Sequence, residues 1–253
     1  MNLFYCVYQV CIALPILLVL TLLTAIVTIV GCALGSAHFW GYYPGKIWSK
    51  LICFFLLIPV HVEGREHLHG KTSYVFVSNH QGMFDIFLIY GYLNRNFKWM
   101  MKKSLRKLPF VGKACDEAGH IFVDRTGPKK ILETINKASK TLVGGTSVVV
   151  FPEGARTFSG HMGYFKKGSF QLADDLQLPV VPLTIIGSFN IFSRTDKWIH
   201  WHPLTLIIHE PIQPQGKGNN NLKVLLEESY KVIESSLPGE YRGYIKNEDQ
   251  DVF

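Results

Sequence analysis

The first 45 residues contain no Asp, Glu, Lys or Arg, and the first formal charge is Lys46. An uncharged opening of that length is hard to bury in a water-soluble fold. Within it, VCIALPILLVLTLLTAIVTIVGCALG (Val10–Gly35) exceeds the roughly 20 apolar residues that cross a hydrocarbon core. The expected readings are a spanning helix, one leg of a hairpin held in a single leaflet, or a core helix of a soluble protein. A signal peptide fits poorly, because no basic n-region precedes the run and the run outlasts an h-region of about 7–15 residues. Proline is tolerated in a first helical turn, so the helix is expected to begin near Pro15. IWSKLICFFLLIPV (Ile47–Val60) is too short to span and carries Lys50, which predicts an interfacial or re-entrant helix. Lys46, Lys50 and the basic region downstream favour placing the main domain on the cytoplasmic face of the cell (inner) membrane, anchored by the apolar segment.

After that segment the 253-residue chain leaves room for one sizeable domain, and 48% apolar against 18% charged residues argues against disorder. Cys6, Cys11, Cys32, Cys53 and Cys115 are odd in number and form no CxxC or Cys/His ligand spacing. They predict neither a disulfide framework nor a zinc site, and fit a reducing compartment. The net charge is +7, and Ile86–Cys115 alone contributes seven bases and no acid. An ordinary solvated face, nucleic acid, an anionic membrane surface or a phosphorylated ligand would each suit it. The interleaved Phe97, Trp99, Met100 and Met101 favour a membrane surface.

Short runs of Val, Ile and Phe recur at Ser73–Val77, His120–Val123, Ser147–Phe151, Val180–Ile186 and Leu204–Ile208, with Phe97–Met101 as a further candidate. Such runs predict strands of a sheet covered on both faces. Helices are expected over Met83–Leu93, Pro128–Leu142, Gly168–Leu176 and Asn221–Leu237. The alternation predicts an α/β fold, a mixed, mostly parallel sheet flanked by helices and preceded by an apolar two-helix membrane segment. The expected division is a membrane segment over residues 1–61, an α/β domain over 62–240 and a loose polar tail over 241–253.

Four segments stand at strand ends, where open α/β sheets place their sites. In SNHQGMFD, His80 in a turn and Asp85 in the first helical turn can meet. Asp85 would then orient an imidazole able to take a proton, although an Asp-capped structural histidine fits the same spacing. GHIFVDR ends in Asp124 and Arg125, which also suit a surface ion pair. In FPEGAR, Gly154 lets a ligand approach the backbone, Arg156 offers a planar fork for phosphate, and Glu153 can orient a side chain or a substrate hydroxyl. PVVPLTI carries Pro182 early in a strand, a place proline tolerates at an edge or a strand start.

In this order and spacing the four segments resemble the glycerolipid acyltransferase family, whose pattern runs NHxxxxD, GxIFIDR, FPEGTR and a VP-containing strand. The likeness covers roughly Glu63–Ile212 and is strongest toward the bacterial enzymes that acylate 1-acyl-sn-glycerol 3-phosphate. It implies a membrane-bound enzyme that moves an acyl chain from acyl-CoA or acyl-acyl carrier protein to the sn-2 hydroxyl of lysophosphatidic acid, forming phosphatidic acid without a cofactor or metal. By the resemblance His80 is the general base, and Asp85 is its orienting partner. Arg125, Glu153, Gly154 and Arg156 hold the glycerol phosphate, Asn79 helps position donors near the thioester, and Lys103 belongs to a basic segment beside the site. Ala155 replaces the family's usual Thr, and Gly82 a common Ser, each losing one hydroxyl.

Another lysophospholipid or a lyso-aminolipid is the nearest alternative acceptor. Readings of other classes are a metal-dependent hydrolase liganded by His80 and Asp85, and a non-catalytic membrane or nucleic-acid binder. The first lacks further ligand spacing, and the second leaves the four segments without a purpose. Membrane lipids are expected partners; nucleic acid is not.

Overall fold

The structure, a computed structural model, describes residues 3–124, 127, 134, 138, 142 and 145–244. Among the described residues seven strands lie side by side in the order β1-β7-β6-β2-β5-β3-β4. They are β1 (Val60–Glu63), β2 (Val75–Ser78), β3 (Phe97–Lys102), β4 (Ile121–Val123), β5 (Ser147–Val150), β6 (Val180–Ile186) and β7 (Leu204–Ile208). Only β6 and β7 pair antiparallel, so the sheet is mixed and mostly parallel, as expected. Side chains alternate between two cores, as the two-residue period of a strand requires. Phe76, Val149 and Val181 join one cluster, and their neighbours Val75, Val77, Val148, Val150 and Val180 join the other. A sheet buried on both faces needs continuous apolar strands, which is why these runs were legible.

β1 was not among the expected strands. It begins at Val60, inside the stretch assigned to the membrane segment, and pairs with β7 from Val60↔Leu204 to Glu63↔Ile207. Pro182 lies within the interior strand β6. The β6–β7 ladder is regular only from Leu183↔Ile208, and the bridge Val180↔Ile212 is offset from it by one residue. The missing N–H of Pro182 therefore falls at a local break in the pairing, where bulges accommodate proline.

The opening helix starts earlier than Pro15. Helix α1 (Leu3–Tyr8) passes through a π segment (Gln9–Ala13) into α2 (Leu14–Leu34). The Leu14 N–H reaches back five residues to Gln9 O, so the wide turn leads directly into the proline. The combined helix, Leu3–Leu34, is long and apolar enough to cross a membrane. Its side chains divide sharply. Leu18, Val19, Leu22, Leu23, Ile26, Val27 and Val30 are exposed, whereas Ala25 and Thr28 are buried against the protein. The threonine-bearing side thus faces the protein and the aliphatic side is bare.

After the short α3 (Ala37–Trp40), α4 (Tyr43–Phe55) lays Ser49, Ile52 and Cys53 against α5 (Phe84–Tyr92) and leaves Ile47 and Phe54 exposed. The second apolar helix is thus docked on the α/β core along one face. The Tyr5 and Tyr8 hydroxyls donate to Leu56 O and Phe55 O, and Gln9 Nε2 donates to Ile199 O at 2.7 Å, fixing the opening helix to the domain. The remaining helices are α6 (Val111–Glu117), which packs against α2, then α7 (Gln171–Leu176), α8 (Ser188–Ile191) and α9 (Asn219–Ser236). The helix expected over Pro128–Leu142 lies largely outside the described residues.

At the other end of the chain, the stretch expected to be loose is tied down over its first four residues. Asn190 Nδ2 donates to the Tyr241 hydroxyl, Arg242 donates to Leu237 O and Ser235 O, and Tyr244 stacks on Tyr164. Residues 245–253 lie outside the described residues.

Candidate active site

β5 enters the sheet between β2 and β3, so the loop after β5 lies beside the loop after β2 although 73 residues separate His80 from Glu153. The turn after β2 presents His80, and Asp85 sits in the first turn of α5. His80 Nδ1 is 2.7 Å from Asp85 Oδ2, which also accepts Gln81 N at 2.8 Å and Gly82 N at 3.0 Å. A carboxylate held by three donors is the expected proton acceptor of the pair, so Nδ1 carries the hydrogen and Nε2 is left with its lone pair. The local chain can do this because residue 82 is glycine. A Cβ there would stand 2.6 Å from both Ser188 O and Ser188 Oγ, so Ser188 occupies the space a side chain at position 82 would need.

The imidazole is also held from above and behind. Phe151 stacks on it with ring centroids 3.9 Å apart and planes 9° apart, and Trp99 stacks in turn on Phe151 at 5.7 Å. The His80 backbone is clamped at both ends: its N–H donates to Glu153 Oε1 at 2.7 Å, and its carbonyl accepts Thr157 N at 2.9 Å. Glu153 Oε2 accepts Gly163 N at 2.8 Å. Burial pushes the Glu153 carboxyl up to about 8, against the two amide donors that favour its ionised form.

His80 opens onto a cavity of about 720 Å³. Its wall brings together Phe151, Pro152 and Gly154 from the β5 turn, Trp99 and Lys102 from β3, and Thr21, Thr24, Ala25 and Thr28 from α2. Lys166 and Ser169 line it as well. The wall is chiefly apolar, with the imidazoles of His80 and His120 and the cationic groups of Lys102 and Lys166, which suits an amphiphile with an anionic end. His120 also faces the cavity but is no second base. Its Nδ1 accepts Trp99 N at 3.2 Å, and burial lowers its pKa to about 3, keeping the ring neutral. Among the described residues no group of three or more His, Cys, Asp and Glu side chains is placed to hold a metal ion.

The structure brings together His80, Asp85, Glu153 and Gly154, the last at φ +81 in a turn only glycine adopts readily. Three of the assigned residues make contacts within the protein. Asn79 has no exposed surface; its Nδ2 donates to Ile185 O at 2.9 Å and its Oδ1 accepts Ile185 N at 2.8 Å, so it ties the end of β2 to β6 beneath the site. Glu153 is only 3% accessible with both oxygens bound to backbone N–H groups, one of them that of His80, which fits the expectation that it orients a neighbour. Lys103 is 58% accessible and pairs with Asp124 at 2.9 Å; the neighbouring Lys102 is the one on the cavity wall. Arg125 lies outside the described residues. Arg156 is half-buried in the β5 loop, adjacent to the Thr157 amide that holds His80, and Ala155 is exposed on the same turn. The threonine stripe of α2 was missed, although its i, i+3, i+7 spacing in an otherwise aliphatic run is readable in the sequence.

A family model described as Acyltransferase matches residues 59–186. Over 173 residues the chain is 32% identical to the chloroplast 1-acyl-sn-glycerol-3-phosphate acyltransferase of Arabidopsis thaliana, covering 68% of this chain and 48% of the relative. The 1-acyl-sn-glycerol-3-phosphate acyltransferase of Helicobacter pylori is 33% identical over 142 residues, 56% of this chain and 60% of that one. The crystal structure of the 1-acyl-sn-glycerophosphate acyltransferase PlsC from Thermotoga maritima superposes with a TM-score of 0.75 at 26% identity, covering 92% of each chain. The chain spans about half the length of the chloroplast relatives of Arabidopsis thaliana and Brassica napus.

Proposed function

The chain belongs to the acyltransferase family, and on that premise we propose that it transfers an acyl group from acyl-CoA or acyl-acyl carrier protein to the sn-2 hydroxyl of 1-acyl-sn-glycerol 3-phosphate, forming phosphatidic acid at a membrane surface. One observation carries the reading: an imidazole fixed through Nδ1 on Asp85 that lines an apolar cavity walled partly by the long apolar opening helix. Nε2 accepts the hydroxyl proton as the oxygen attacks the thioester carbonyl. The tetrahedral intermediate collapses, the carbon–sulfur bond breaks, and the imidazolium returns the proton to the departing thiolate. The cavity takes the acyl chain, Lys102 on its wall supplies positive charge for the phosphate, and Arg156, two residues from the lining Gly154, is assigned to the phosphate by the family resemblance. Because substrate and product are both lipids, the opening helix keeps the site at the bilayer; Lys46 and Lys50 favour its cytoplasmic side.

The test is the full chain reconstituted in vesicles with lysophosphatidic acid and labelled acyl-CoA or acyl-acyl carrier protein. Labelled phosphatidic acid is the expected product. Acylation of lysophosphatidylcholine or another lysolipid with none on lysophosphatidic acid overturns the acceptor assignment. Arg156→Ala is expected to raise KM for the phosphate-bearing acceptor by about tenfold, as loss of a charge-assisted contact does, with kcat little changed. An unaltered KM removes Arg156 from the phosphate site.

A further inference from the structure

The aromatic residues that favour a lipid surface in the sequence do not reach one. Phe97 and Trp99 are buried in β3, and Lys98 is buried between them, donating to Ala118 O at 2.6 Å. The lipid-seeking character lies further along, in KKSLRKLPFVGK, between β3 and the body of α6. Here Leu105 is 42% exposed, Leu108 48% and Phe110 59%. They alternate with Lys103, Arg106, Lys107 and Lys113. Phe110 has φ 58 and ψ −53, a conformation that strains any bulky residue by about 1–3 kcal/mol and here holds its ring outward. The projection has a fixed shape, since Leu108 N donates to Leu105 O and Gly112 N to Leu108 O. A ring held out into water on strained backbone gains nothing there; at a lipid boundary it gains burial.

The surroundings fit. Leu105 and Leu108 share the cavity wall with the threonine stripe of α2, and α6 packs directly against α2. The projection therefore stands beside the helix with the bare aliphatic face. Its charge is only partly free. Arg106 is bidentate to Asp116, Lys103 pairs with Asp124 and Lys113 with Glu117, so five bases less three acids over residues 102–124 leave +2. Apolar insertion dominates the contact, and attraction to anionic headgroups supplements it.

We propose that residues 102–113 form a second, interfacial contact with the bilayer, in which Leu105, Leu108 and Phe110 enter the headgroup–acyl boundary beside the cavity. Resting on the reading above, this contact lets a lysolipid pass from the leaflet to His80 without entering water.

The full chain is tested in phosphatidylcholine vesicles, with and without phosphatidylglycerol. Its five cysteines are replaced, and a nitrobenzoxadiazole label is placed at Phe110→Cys or, as control, at Lys223→Cys on α9. The label at 110 is expected to emit blue-shifted and to be quenched by lipids carrying a nitroxide high on the acyl chain, while that at 223 stays water-like. Phosphatidylglycerol deepens the effect modestly. Equal, water-like emission at both positions overturns the proposal, and this readout needs no turnover. In the native-cysteine chain, Phe110→Glu is expected to raise KM about tenfold for a long-chain acceptor in vesicles. It leaves a short-chain, water-soluble acceptor unaffected, and Phe110→Trp restores the native value. Equal impairment with both acceptors would mark Phe110 as merely structural and overturn the membrane role.

Discussion

His80→Ala lowers acyl transfer by about 10²–10⁴, the range that a positioned general base contributes. The fold should survive, because the Asp85 carboxylate keeps Gln81 N and Gly82 N as donors when the imidazole is gone. The side chain removed is also 15% accessible rather than fully enclosed. The expected signature is a collapse in kcat with an unchanged melting temperature in detergent and unchanged recovery in the membrane fraction. Turnover within a few-fold of the native rate would remove His80 from the chemistry and return it to the role of a capped structural histidine. A variant that fails to melt cooperatively is no evidence on the base, so the measurement pairs kinetics with the melt. The cavity then gives a second discriminant. Binding of a lysolipid, measured without donor, should persist in His80→Ala, since the phosphate and acyl contacts proposed for it do not involve the imidazole.

How far the sequence could reveal this site depends on the reach of each contact. The His80–Asp85 bond closes over five residues, so spacing alone made it conceivable. The partners of Asn79 and Glu153 could not be read that way: they lie 106 and 73 residues distant and are backbone groups, which leave no mark on side-chain pattern. The assignments of Glu153 to the glycerol phosphate and of Asn79 to donors near the thioester came from the family resemblance. Lys102 and Lys103 pose a different problem. Lys102 ends β3 on the cavity wall, whereas Lys103 opens the turn that follows and pairs with Asp124, and where the strand ends is not readable from two adjacent lysines. Buried strands were legible because apolar cover on both faces demands unbroken Val and Ile. β1 was not, since VHVE is short, half-exposed and follows an apolar helix whose pattern runs into it. The uncharged opening marked a helix long and apolar enough to cross a membrane, but not that its threonine face would complete the wall of the cavity holding His80.

Glu153→Ala is expected to be the most destabilising single change at the site. It strands the His80 and Gly163 N–H groups in the interior, at about 1–3 kcal/mol each, and frees the backbone that carries the base. Glu153→Gln separates the two consequences. It retains the volume and one acceptor oxygen but turns an amide NH₂ toward one of the two donors, so kcat should fall as His80 loosens while KM for the acceptor holds. A rise in KM instead would restore the substrate-binding role that the buried geometry argues against. The pH dependence carries a sign of its own. With the folded carboxyl raised by burial to about 8, from 4.5, the folded chain keeps a proton that the unfolded chain releases between those values. The stability it contributes is therefore full below about pH 4.5 and is lost as pH rises through about 8. The melting-temperature advantage of the native chain over Glu153→Gln should shrink steadily from pH 5.5 to 8.5. An advantage that widens over the same range would mean the carboxylate is ionised throughout, held so by its two amide donors, and the burial argument for this residue would fail.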